Sequence, residues 1–276
     1  MTPLITANQL EEIFNSGEEV LLCDCRFDLV DPLAGKKAYE ESHIPGAIYV
    51  DLDHDLSGQK NGRNGRHPLP SPEDWAQTKT RLGITPNTLV VAYDKQGSVY
   101  ASRLWWMLKA TGHAKVQVLD GGLDSWNGPM GTVLRLPNPA AKGIEPRPYA
   151  GLVLVDEVVG NLQTQKYTIM DARANDRFHG QNETLDPVGG HIPGALNRFF
   201  KDNLSATAFK SAEQLFHDFV ELLGPIKPSE VIHQCGSSVT ACHNLLAMEL
   251  AGLKGSRLYA GSWSEWCSDT SRPIEA

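Results

Sequence analysis

The sequence predicts an α/β protein of two tandem domains, each a mostly parallel central sheet flanked by helices. Short apolar strands alternate with helical patterns along the whole chain. The two halves repeat each other at offsets of 140 to 148 residues. Between them Leu136–Gly151, LPNPAAKGIEPRPYAG, holds four prolines and few core-sized residues. The expected division is a first domain over 1–136, a semi-extended linker over 137–150 and a second domain over 151–276.

The repeat justifies the elements in turn. VLLCDCR at Val20–Arg26 and YTIMDAR at Tyr167–Arg173 are apolar strands ending in Asp-x-Arg. SHIPGA at Ser42–Ala47 returns as GHIPGA at Gly190–Ala195. LVVAYD, a glycine and the helical LWWMLKATG parallel VIHQC, a Gly-Ser loop and LLAMELAG. VLDGGLDSW at Val118–Trp126 parallels LYAGSWSEW at Leu258–Trp266. An extra stretch in the first half, Ser57–Pro72, is too glycine-rich and charged for core. It reads as a solvated loop, although a long ordered loop is also a common seat of function.

The stretch Val231–Gly252 should run strand, tight loop, helix, with Cys235 where the strand ends. The loop amides after it and the positive end of the helix both favour a thiolate. The other reading is a buried structural cysteine. Comparison of the two copies separates fold from chemistry, because a feature present in both belongs to the fold. His43 and His191 recur and read as turn-capping hydrogen bonders. Asp24/Arg26 and Asp171/Arg173 recur and read as ion pairs at strand ends. Cys235 does not recur: the first copy has Asp94, which cannot carry sulfur. Arg177 does not recur either, and is either a planar clamp for an anionic substrate or a surface arginine.

Other classes fit less well. His233 shares a strand face with Cys235 and His243 lies on the helix, but neither has an evident orienting carboxylate, so a hydrolytic Cys/His dyad is disfavoured. A cysteine phosphatase needs an arginine six positions after its cysteine, where this chain has Ala241. Net charge of −8 with no basic stripe disfavours nucleic acid. No apolar run approaches the roughly 20 residues that cross a bilayer. Five scattered cysteines suit a reducing compartment, and Cys23-x-Cys25 reads as strand packing. The first residues carry neither a basic nor an apolar leader region, so the expected location is cytoplasmic.

Taken together, the two His-Ile-Pro-Gly-Ala turns, Asp-Ala-Arg followed by Arg177-Phe178, Cys-Gly-Ser-Ser-Val-Thr over 235–240 and Gly-Ser-Trp-Ser-Glu-Trp over 261–266 resemble the two-domain rhodanese-like sulfurtransferases. The mercaptopyruvate-using branch is the nearest. The resemblance implies a first domain that has lost its cysteine and a second in which Cys235 carries a persulfide. It implies that Gly236, Ser238, Val239 and Thr240 hold the outer sulfur through backbone N–H groups, and that Arg177 binds the donor's carboxylate, with Arg173 nearby. Ser237 would relay a proton, Asp53 would orient it, and His67 would contact substrate. No metal or organic cofactor is implied. The expected donor is 3-mercaptopyruvate, because the uncharged Gly236, Ser237 and Ser238 lack the cations that thiosulfate-using enzymes carry after the cysteine. The expected acceptor is a thiol, such as that of thioredoxin, or cyanide. The alternatives are a thiosulfate:cyanide sulfurtransferase and a non-catalytic sulfide-sensing or scaffold module.

Three departures from the family pattern stand out. Ser238 replaces a usual glycine, no second arginine precedes the second His-Ile-Pro-Gly, and Ala260 replaces an aspartate. Arg177→Ala is expected to raise KM for an acidic donor while leaving stability nearly intact.

Overall fold

Each half of the chain builds its own five-stranded sheet, and every strand pair within those sheets is parallel. The structure is a computed structural model that describes residues 1–140 and 142–276. It divides into two compact units, the first formed by Met1–Gly58, Leu69–Ala150 and Ala206–Ala208, the second by Gln59–Pro68, Gly151–Ser205 and Phe209–Ala276.

In the first unit the elements are β1 (Leu4–Ile5), α1 (Ala7–Ser16), β2 (Val20–Asp24), α2 (Ala34–Glu41), β3 (Ile48–Tyr49), α3 (Pro72–Leu82), β4 (Leu89–Tyr93), α4 (Val99–Ala110) and β5 (Val116–Leu119). The strand order is β1-β5-β4-β2-β3. The helix ends follow local chemistry. Thr6 and Gln9 form a capping box before α1, and Gly17 ends the helix in the left-handed region. Ser71 caps α3 ahead of Pro72, and Gly83 closes it. α4 is buried on all sides except at Lys109, so its sequence lacks a polar face.

The second unit repeats the plan with β6 (Leu152–Val153), α5 (Val155–Thr164), β7 (Thr168–Asp171), α6 (Asn175–Phe178), β8 (Leu196–Asn197), the short β9 (Leu204–Ser205) and β10 (Ala208–Phe209), α7 (Ala212–Leu223), β11 (Val231–Gln234), α8 (Val239–Leu250), β12 (Arg257–Tyr259) and α9 (Ser262–Trp266). Its sheet order, β6-β12-β11-β7-β8, matches the first position for position. β4 and β11 are therefore the central strands, and Asp94 and Cys235 are the residues that leave their carboxyl ends. That is where open parallel sheets place their sites.

Two expectations change. The stretch 137–150 clusters with the first unit: Ala140 N–H donates to Thr80 O at 2.8 Å, and Ala150 N–H to Ala110 O at 2.9 Å. Ala141, within that stretch, lies outside the described residues. The loop Ser57–Pro72 is not simply solvated, because Gln59–Pro68 belongs to the compact second unit and His67 is buried.

Candidate active site at Cys235

The first unit shows what its loop is built to hold. Asp94 is fully buried, and its carboxylate accepts four backbone N–H bonds, from Gln96 and Ser98 at 2.9 Å on one oxygen and from Tyr100 at 2.8 Å and Ala101 at 3.0 Å on the other. Burial pushes this carboxyl up, while the four amides favour its anionic form. The donors are the turn after β4 and the first turn of α4, a fixed cup of positive dipole ends.

The second unit has a cysteine at the corresponding strand end, followed by a turn one residue shorter, since three positions separate Cys235 from Ser238 and four separate Asp94 from Ser98. Leu123 N–H donates to Asp94 O at 2.7 Å, and at the matching position Trp263 N–H donates to Cys235 O at 2.9 Å. Ser98 and Ser238 both precede their helices in the left-handed region, at φ 69° and 66°. The turn therefore requires a positive φ at Ser238, where the family pattern has glycine. A non-glycine residue there carries a cost of about 1 kcal/mol. In Ser98 the hydroxyl is also buried without a hydrogen-bond partner. Ser98→Gly is accordingly expected to raise the urea midpoint by the equivalent of about 1 kcal/mol; a lowered midpoint would contradict the strain.

Ser262 escaped the sequence reading. Its Oγ accepts Cys235 N–H at 3.2 Å and donates to Tyr259 O at 3.0 Å, which fixes the backbone at the nucleophile. The signal was present in the internal comparison. Gly122 stands at the matching position with φ 59°, and Ser262 keeps a positive φ of 56°. Only the copy with the cysteine has a hydroxyl there.

The other expected residues fall as follows. Cys235 is buried, and Ser237 Oγ shares a 2.8 Å hydrogen bond with His67 Nδ1. Asp53 belongs to the first unit, in the turn after β3, where its N–H donates to Asp51 Oδ1 at 2.8 Å. Arg173 grips Asp171 through two nitrogens, reaches Gly190 O at 2.6 Å and lies over the Trp263 ring at 4.7 Å. Burial lowers its proton affinity, but Asp171 more than offsets this, so Arg173 is held charged. Arg26 repeats the grip on Asp24 and reaches Ser42 O at 2.7 Å. His191 Nδ1 bonds Phe178 O at 2.9 Å and His43 Nδ1 bonds Tyr39 O at 2.6 Å, so both histidines fasten their turns. His233 is buried against Met248 Sδ at 3.2 Å, and desolvation pushes it down to about 3. His243 stacks on Phe209 and its Nδ1 lies 3.3 Å from Asn203 Nδ2, so the structure gives it a packing role.

The arginines near the loop are already matched by carboxylates. Arg177, on α6, makes a bidentate pair with Glu183 at 2.9 and 3.1 Å, and its Nη2 lies 3.6 Å from Asp186 Oδ2. Arg66 pairs with Asp186 through Nη1. Burial pushes Glu183 up, but Arg177 and the N–H groups of Leu185 and Asp186 outweigh it and hold the carboxyl below its ordinary value. Asp186 is held above its ordinary value, because burial outweighs the facing Arg66. No group of three or more side chains suited to a metal occurs among the described residues.

A parallel-sheet unit folded twice, with a buried carboxylate after the central strand of one copy and a buried cysteine at that place in the other, points to sulfur chemistry at the loop of the second copy. The Rhodanese-like domain model matches residues 6–129 and 154–269, and the chain belongs to the rhodanese family as a sulfurtransferase. It is 42% identical to a probable 3-mercaptopyruvate sulfurtransferase of Pseudomonas aeruginosa, over 98% of this chain and 97% of the relative. It is 34% identical to a putative thiosulfate sulfurtransferase, SseB, of Mycobacterium tuberculosis, over 98% and 96%. Among solved structures, 3-mercaptopyruvate sulfurtransferase from Leishmania major matches with a TM-score of 0.87 at 28% identity, covering 99% of this chain and 76% of that one.

Proposed function

We propose that the protein takes sulfur from 3-mercaptopyruvate onto Cys235 as a persulfide and passes it to a small thiol, to a protein thiol such as that of thioredoxin, or to cyanide. The observation that carries this reading is the Asp94 cup. The shorter turn between Cys235 and α8, which also ends in a serine of positive φ, would offer its backbone N–H groups to the terminal sulfur anion of a persulfide, as an oxyanion hole serves an alkoxide. In the first step the Cys235 sulfur attacks the donor sulfur, the donor C–S bond breaks, and its electron pair leaves as the enolate of pyruvate. The proton from the donor thiol is delivered to that carbon, and the hydrogen bond between Ser237 and His67 supports a role for that pair in moving it.

The mouth of the loop suits a monocarboxylate. Arg66 and Arg177 already face Glu183 and Asp186, so two cations meet two carboxylates before a donor arrives. With these charges already balanced, each further negative charge on the donor is uncompensated, so a monoanion costs less to bring in than a dianion. Among the described residues no helix is long and apolar enough to cross a membrane. All five cysteines are free, which supports a reducing compartment, the cytoplasm.

Turnover of 3-mercaptopyruvate and thiosulfate at matched concentrations, with cyanide as acceptor, tests the donor; faster reaction with thiosulfate would reverse the assignment. Arg177→Ala is expected to raise KM for mercaptopyruvate by roughly tenfold or more. The structure corrects the expectation that its stability is untouched. Glu183, with its side chain only 4% exposed, loses its bidentate partner, and about 1–3 kcal/mol should go with it.

A further inference from the structure

In the first unit, a cavity of about 420 Å³ lies at the carboxyl ends of α3 and α4, walled on one side by residues of the stretch 140–147. We propose that this cavity binds a small organic phosphate, a dianionic phosphate monoester with an apolar body, through the ammonium of Lys79 and the guanidinium of Arg147.

A buried charge without a counter-charge is the first argument. Lys79, in the last turn of α3, is only 4% exposed. Its Nζ reaches one acceptor, Thr111 Oγ1, at a long 3.5 Å, and that oxygen already accepts from Trp75 Nε1 at 3.1 Å. The Trp75 ring, 5.9 Å from the ammonium, is a weak substitute for an anion. The carbonyls that end α4 are already engaged: Met107 O, Leu108 O and Lys109 O take the N–H groups of Thr111, His113 and Gly112. Among the described residues no carboxylate is paired with Lys79, and burial and the charge of Arg147 both push its ammonium down from the ordinary value. A lysine this deeply buried ordinarily has a partner. Two of its three N–H donors are left for a ligand.

The chain brings a second cation to the first. Arg147 lies over the end of α4, where a Cβ on Gly112 would fall 2.7 Å from Arg147 Nη1 and 3.8 Å from its Cδ. The backbone on either side is fastened, Ile144 N–H to Thr80 Oγ1 at 3.0 Å and Ala150 N–H to Ala110 O at 2.9 Å, so the guanidinium is delivered to this place by fixed chain. Two cations on one cavity with no carboxylate between them repel, and a bound anion relieves that cost. His113, on the same wall, is pushed down chiefly by burial, so it adds no third charge at neutral pH.

The head group and the body follow from the lining. Lys142 and Glu145 offset one another, which leaves a net of two positive charges from Lys79 and Arg147. A phosphate monoester carries close to two negative charges at neutral pH. The ammonium meets it as a point charge and the arginine as a planar fork. Ile84, Pro86 and Ile144 make the remaining wall apolar, and the volume is that of a small-molecule site, larger than a bare phosphate fills.

Calorimetric titration of the full-length protein in phosphate-free buffer tests the proposal, with phenyl phosphate, inorganic phosphate and benzoate as probes. Phenyl phosphate is expected to bind at least about tenfold more tightly than either of the others. Lys79→Met and Arg147→Gln should each weaken it by roughly tenfold or more. Lys79→Met also exchanges a buried charge for an apolar chain of similar length, so the urea midpoint of the ligand-free protein should rise. A lowered midpoint would mean that the fold itself already satisfies the ammonium, and would overturn the proposal. So would an absence of phenyl phosphate binding, benzoate or inorganic phosphate binding as tightly, or phenyl phosphate binding that survives both substitutions. Arg147 is exposed, so its substitution leaves the fold intact and carries the test on its own.

Discussion

Cys235→Ser is expected to lose sulfur transfer to both acceptors by roughly 10⁴-fold or more while folding normally. The substitution exchanges one sulfur for one oxygen in a turn whose backbone bonds, Cys235 N–H to Ser262 Oγ and Trp263 N–H to Cys235 O, do not involve the side chain. What is lost is the atom that can form and break a sulfur–sulfur bond. Wild-type protein incubated with donor should gain about 32 Da, one sulfur, and the serine variant none. A single addition is expected because Cys242 is fully buried on α8 and the other three are poor substitutes. Burial pushes the Cys23 and Cys25 thiols far up and the Cys267 thiol up to about 11, which leaves little thiolate at neutral pH. Added sulfur on the serine variant, or turnover within tenfold of wild type, would place the carrier elsewhere.

The duplicated architecture was legible because the Asp-x-Arg that ends β2 and β7 and the His-Ile-Pro-Gly that precedes β3 and β8 recur in both halves, and the Asp94/Cys235 exchange stood out against that background. The cup itself was foreseen only as a tendency of turns before helices. That it closes on a carboxylate in the first unit depends on the three-dimensional path from Gln96 to Ala101. Arg66 was not legible. Its neighbours, Asn61 to Gly65, have the composition of a solvated loop, and nothing local reveals that the loop packs beside Gly236 in the second unit. Glu183 and Asp186 were missed for a related reason. On a sequence a carboxylate six or nine positions after Arg177 is one charge among many, and only folding makes it the arginine's partner. Contacts set by the repeat can be read along the chain, whereas contacts that fill the space left by a missing side chain cannot.

Asp94→Asn separates an amide cup that binds charge from one that merely accommodates volume. Asparagine has nearly the shape of aspartate, so a turn needing only a side chain of that size would tolerate it. The geometry demands more. Both carboxylate oxygens receive two N–H groups each, and one of the two must become an NH₂ in the variant. Whichever way the amide is turned, donors face donors at one end, leaving two buried N–H groups without an acceptor. At about 1–3 kcal/mol for each orphaned group, the loss should reach about 2–6 kcal/mol. The measurement is the urea midpoint, with Asp94→Ser as a smaller control that also leaves donors unmet. Destabilisation by both variants would establish the first unit's turn as an anion holder, and by the repeat would support the same task for the turn after Cys235. A neutral Asp94→Asn would mean that these amides tolerate a donor among them, and the case for stabilising a persulfide there would fail.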